Sequence, residues 1–122
     1  MANEFLFSRK LDWIFCGLMT FAAAGHLLGT FTLIEHGTQT FVWSLAGVLA
    51  AALLVALNVM RMNRPNDRTL GWVSLVGCLC WVVIVLLFGS AIGNIIDFRV
   101  LLHVVAALGL SILSWRTLQN AN

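Results

Sequence analysis

Residues 61–70, RMNRPNDRTL, interrupt an otherwise apolar chain near its centre. Three arginines, one aspartate and two asparagines crowd into that stretch. Pro65 cannot lie inside a helix, because it lacks an N–H and its ring clashes with the preceding turn. Asp67 or Thr69 can then cap a helix that starts beyond the break. Apolar blocks flank it at residues 41–60 and 70–92. Two more lie further out, at residues 11–28 and 95–115. Each block runs about 18 to 23 residues, enough for a helix to cross a hydrocarbon core of about 30 Å. The expected fold is an all-α membrane protein: four transmembrane helices in an up-down bundle, forming one integral membrane domain over residues 1–122. Short connections place span one beside span four.

Composition agrees. Of 122 residues, 61% are hydrophobic and only 10% charged, and the mean hydropathy is +0.96. A soluble domain carries about a quarter of its residues charged. The net charge of +2 is small, and no basic tract interleaves with aromatics, so nucleic-acid binding is not expected. The five tryptophans suit anchoring at membrane interfaces.

The N-terminal block also resembles a secretory signal, with SRK at 8–10, an apolar run and AAA at 22–24. The run continues through Leu27, Leu28 and Phe31 without a polar start to a mature chain, so the block is read as a retained span. WIFC at 13–16 is no lipidation box, since Phe15 is too large beside the cysteine.

Basic residues set the expected orientation. Arg9 and Lys10 precede span one, Arg61, Arg64 and Arg68 fill the middle connection, and Arg116 follows span four. Only Arg99 falls in the other two connections. Both termini are therefore expected on the cytoplasmic side, in the inner (plasma) membrane of a bacterium.

Helices in lipid associate through close packing and a few hydrogen bonds. Each span carries small or weakly polar residues at helical spacing: Ala22, Ala23, Gly25 and Gly29; Ser44, Gly47, Ala51 and Asn58; Gly71, Ser74 and Cys78; Ala107, Ser111 and Ser114. They are expected to line helix contacts. Asn58 sits near a span end, where water or loop backbone can satisfy its amide. Cys78 and Cys80 are two apart and point to different sides of a helix, so with Cys16 they read as packing residues rather than a redox pair. The acids Glu4, Asp12, Glu35, Asp67 and Asp97 all avoid the midplane. That disfavours proton-coupled transport, which needs an intramembrane carboxylate.

The histidines carry the strongest functional signal. His26 lies about 22 Å up span one and His103 about 18 Å up span four, counted at helical rise from the cytoplasmic edge. Both are thus expected in the outer half, on neighbouring helices. Small residues flank each ring: Ala22, Ala23 and Gly29 around His26, Ala106 and Ala107 around His103. Two such imidazoles can ligate a haem, hydrogen-bond a quinone, or join Glu35, His36 or Asp97 in a metal site. No histidine spacing specific to a metal motif occurs. The plainer reading is that the rings hydrogen-bond within the bundle.

Three functional readings follow. The first, and the expected one, is an accessory or structural subunit packing on a larger membrane protein, favoured by the short connections and the absence of a catalytic constellation. The second is a haem-, quinone- or metal-binding electron-transfer protein that uses His26 and His103. The third is a small transporter or channel working by self-association. No nucleophile with a plausible base can be placed, so hydrolase or transferase chemistry is not expected.

Overall fold

A computed structural model describes residues 2–120, with side chains from residue 7 onward. Four α-helices form a bundle: α1 (Ala2–Leu33), α2 (Gln39–Asn63), α3 (Arg68–Ala91) and α4 (Phe98–Asn120). There is no strand among the described residues. All four helices are long and apolar enough to cross a membrane, α1 by its segment Phe7–Leu33, as a small multi-pass membrane protein requires.

Each helix outruns its apolar block at one end or both, because hydrogen bonding, not hydropathy, decides where it stops. Thr38 caps α2, accepting from the Phe41 N–H at 3.2 Å. Asp67, rather than Thr69, caps α3, accepting from the Leu70 N–H at 3.0 Å. The fourth helix starts at Phe98 instead of Ile95. Gly93 takes a φ of +71° that closes α3, and the Asp97 carboxylate accepts the Arg99 N–H at 2.9 Å as the new helix begins. A glycine reaches that left-handed conformation without strain.

The helices run antiparallel to their neighbours around a ring. Phe15 meets Gly109 between α1 and α4, and Gly77 meets Leu54 between α2 and α3. Thr30 meets Ser44 between α1 and α2. Between α3 and α4, Gly71 meets Leu118 at one end and Gly89 meets Val100 at the other. Helix α1 lies beside α4, as expected, and diagonal to α3, which it meets through side chains such as His26 against Phe88 and not by close backbone approach among the described residues. One end of the bundle carries residues 64–67, the start of α1 and the end of α4 (the terminal end). The other carries residues 34–38 and 92–97 (the loop end).

Exposure is inverted relative to a soluble protein. Phe21, Leu28, Leu53, Val83, Leu87 and Ile112 lie on the outside, while Asp12, Thr30, Asn58, Arg61, Ser74, His103, Ser111 and Ser114 are buried. Lipid-facing helices favour this arrangement, since apolar side chains lose nothing by facing hydrocarbon. Cys16 and Cys78 are buried, but Cys80 is exposed, so a packing role holds for two of the three. Trp72 and Trp115 stack edge to face at 6.4 Å on the outer surface near the terminal end.

The two ends of the bundle pack differently. A Cβ on Gly109 would lie 2.5 Å from the Phe15 ring, and one on Gly71 would lie 2.9 Å from Leu118. At Gly109 a side chain would displace the Phe15 ring, whereas at Gly71 the Leu118 methyl would have to yield. Towards the loop end, a Cβ added to Gly25 or Gly29 would meet nothing within 4 Å. Every buried residue of α2 falls between Ala51 and Met62. The small residues of α1 and α2 at the loop end therefore leave space instead of filling it.

Candidate functional site

That space is a cavity of about 410 Å³ reached by all four helices. Helix α1 contributes His26, Gly29 and Thr30, α2 Trp43, Ser44 and Gly47, α3 Trp81 and Phe88, and α4 Arg99 and His103. The volume falls within the range of small-molecule sites, towards its lower end.

His26 and His103, singled out from the sequence, both line it. His26 is half-buried, and its Nε2 lies 3.1 Å from Ser44 Oγ. Ser44 Oγ lies 2.6 Å from Thr30 Oγ1, which in turn donates to the His26 carbonyl at 2.8 Å. Phe88 packs edge-on against the His26 ring at 6.3 Å. His103 is held by Trp81, whose indole N–H donates to His103 Nδ1 at 3.4 Å; Met19 Sδ lies 3.4 Å from the same nitrogen. An indole N–H can only donate. Met19 Sδ can only accept, and weakly, so the indole N–H is the stronger partner for His103 Nδ1; with Nδ1 accepting, the ring carries its proton on Nε2.

The second nitrogen of each ring, His26 Nδ1 and His103 Nε2, has no hydrogen-bond partner among the described residues. Neither is sealed off: Ser74 Oγ is the one buried side-chain polar atom without a partner among the described residues. Each ring thus has one nitrogen anchored by the bundle and one left accessible.

The other expected metal ligands do not converge on these rings. His36 Nε2 donates to the Phe31 carbonyl at 3.2 Å, and its ring packs against Phe31 and Phe41. Glu35 is exposed. Asp97 is bound to Arg99, with Nε and Nη2 at 2.8 and 3.0 Å from its two oxygens. The side-chain and backbone hydrogen bonds from Arg99 hold the Asp97 carboxyl down at a pKa of about 2. No three His, Cys, Asp or Glu side chains among the described residues form a group that could hold a metal ion.

A second polar centre, near the terminal end, escaped the sequence reading. Arg61 does not belong to the connection. It lies within α2, 2% exposed, and its Nη2 forms an ion pair with Asp12 of α1, itself 4% exposed. Arg61 Nη1 donates to Thr117 Oγ1 at 2.9 Å and Nε donates to Asn58 Oδ1 at 3.2 Å. Asn58 is fully buried, and its Nδ2 donates to the Leu54 carbonyl and to Cys78 Sγ, at 2.9 and 3.4 Å. Water at a span end is not what satisfies it. An acid and a base at matching depth on neighbouring antiparallel spans, with Asn58 one turn before Arg61, were the available signal. The side chain of Glu4 lies outside the described residues.

Comparison with protein-family models, curated proteins and solved structures finds no match to this chain.

Proposed function

We propose that this protein is a membrane-embedded binding protein for a small ring compound of the quinone class, held between His26 and His103. One observation carries the reading: two imidazoles from adjacent helices line a single cavity, each with one nitrogen anchored and the other open. Trp43, Trp81 and Phe88 supply flat apolar walls for a ring, and the two nitrogens can address its oxygens. A metal or haem iron needs a nitrogen lone pair. His103 Nε2 bears a proton in this arrangement, which favours hydrogen bonding over ligation.

The cavity moves the preference away from an accessory subunit. That reading rests on short connections and the absence of a catalytic constellation, and the exposed apolar faces that a partner or a second copy could cover are equally suited to lipid. The proposed orientation keeps the terminal end cytoplasmic in a bacterial inner membrane. Arg9, Lys10, Arg64, Arg68 and Arg116 support it, against Arg99 at the loop end, even with Arg61 withdrawn into the bundle.

Trp43 and Trp81 are built-in reporters, because quinones quench indole fluorescence. Titrating the protein in nanodiscs with decylubiquinone should give saturable quenching. Gly29→Leu, which fills the cavity, and His103→Ala should each weaken it at least about tenfold. Quenching that follows lipid partitioning alone, unchanged in both variants, would refute the reading. A Soret band or stoichiometric metal in the purified protein, lost in His26→Ala and His103→Ala, would replace it with a haem or metal site.

A further inference from the structure

The loop-end hydrogen bonds contain a proton count that goes beyond binding. Thr30 Oγ1 donates to the His26 carbonyl, which can only accept. A hydroxyl has one proton, so Thr30 must accept from Ser44 across their 2.6 Å contact. The single Ser44 proton is then committed, and Ser44 Oγ must accept from His26 Nε2 at 3.1 Å. The hydrogen bonds therefore run one way, from His26 Nε2–H to Ser44, to Thr30, and back to the His26 backbone. In a neutral ring this fixes the proton on Nε2 and leaves Nδ1 as a bare acceptor. His103 is set in the opposite sense: Trp81 occupies its Nδ1, so its open nitrogen, Nε2, is a donor.

The cavity thus offers one imidazole acceptor and one imidazole donor. By its donor and acceptor count a para-quinol suits both: one hydroxyl can donate to His26 Nδ1, and the oxygen of the other can accept from His103 Nε2–H. A quinone has only acceptors. One carbonyl can take the His103 proton, but the other would face the His26 lone pair with no proton between them. Reversing His26 would break the Thr30 bond or the Ser44 bond, and an unmet buried polar group is costly. From this geometry we infer that the site discriminates between redox states and holds the reduced, hydroxyl-bearing ring in preference to the oxidised one. The inference rests on the quinone-class reading above and adds the state of the ligand.

Thr30 is buried and Val has nearly its shape, so Thr30→Val removes the hydroxyl with little change in volume. Ser44 could then donate to His26 Nε2, freeing the ring to carry its proton on Nδ1. Ser44→Ala releases the ring by a second route at a half-buried position, should the first variant fold poorly. Thr30→Ser keeps the hydroxyl and serves as the control.

The experiment pairs two readouts on protein in nanodiscs. Nitrogen-15 histidine spectra report which ring nitrogen of His26 bears the proton. Tryptophan quenching gives affinities for decylubiquinone and for its borohydride-reduced quinol. The expected results are an Nε2–H ring and a quinol affinity about tenfold or more above that of the quinone. Thr30→Val or Ser44→Ala should shrink that ratio to about threefold or less, and Thr30→Ser should retain it. An Nδ1–H ring in the parent protein, or equal affinities for the two forms, overturns the inference and leaves the binding reading intact. Saturable binding of neither form overturns the binding reading, and this inference falls with it.

Discussion

Replacing Asp12 with leucine should be the costliest single change at the terminal end of the bundle. Arg61 would remain 2% exposed with Asn58 Oδ1 and Thr117 Oγ1 as partners and no countercharge. Removing one partner of a buried ion pair costs about 3–5 kcal/mol. At about 1.4 kcal/mol per tenfold, that lowers the folding equilibrium by roughly two to four orders of magnitude. Both side chains are almost wholly shielded, so screening does not reduce the figure. Arg61→Met should cost a similar amount by stranding the carboxylate. The joint variant, Asp12→Leu with Arg61→Met, removes both charges and keeps the shape. It should fall within about 2 kcal/mol of the parent, since apolar replacements of buried pairs are often neutral or stabilising. Equilibrium unfolding in mixed micelles with increasing dodecyl sulfate, followed by circular dichroism, measures all four corners of the cycle. If the two single losses add to the double loss within about 0.5 kcal/mol, the residues are uncoupled and the reasoning fails.

Two further outcomes follow from other parts of the fold. Gly109→Ala places a methyl against the Phe15 ring, where a Cβ would lie 2.5 Å from Cδ1 and Cε1. The same unfolding assay should show a loss of about 1–3 kcal/mol, largely recovered by adding Phe15→Leu; an undiminished loss in the double variant would contradict that contact. The Asp97 carboxyl, held near a pKa of about 2 by Arg99, lends the loop end stability that is fully present above its usual value of 3.8 and disappears as pH falls through about 2. A carbon-13 carboxyl titration should find the low midpoint in the parent and a return towards the usual range in Arg99→Gln.

Much of this architecture is legible in the residues because a bilayer constrains a chain severely. Backbone groups in hydrocarbon must bond internally, so an apolar run of sufficient length has little choice but to form a helix. Short connections then make the next helix antiparallel. Residues 61–70 divide the chain, and equal heights of His26 and His103 on antiparallel neighbours follow from counting. Arg61 shows the limit of that reasoning. An arginine beside a polar break looks like loop, and only its position opposite Asp12, with Asn58 and Thr117 completing its bonds, makes burial tolerable.

Length, hydropathy and spacing by themselves determined four membrane-compatible helices, their order around the ring, and two imidazoles at matching depth. Tertiary structure alone decided how each helix rotates about its axis, and rotation sets which small residues meet a neighbour. Gly71 and Gly109 meet Leu118 and Phe15 and close the terminal half, and Gly89 meets Val100 at the loop end, whereas Gly25 and Gly29 meet nothing, so the α1 side of the loop half stays open. It also decided which nitrogen of each imidazole is occupied. Those choices depend on atoms brought together from different helices, and no periodicity along one strand of sequence encodes them.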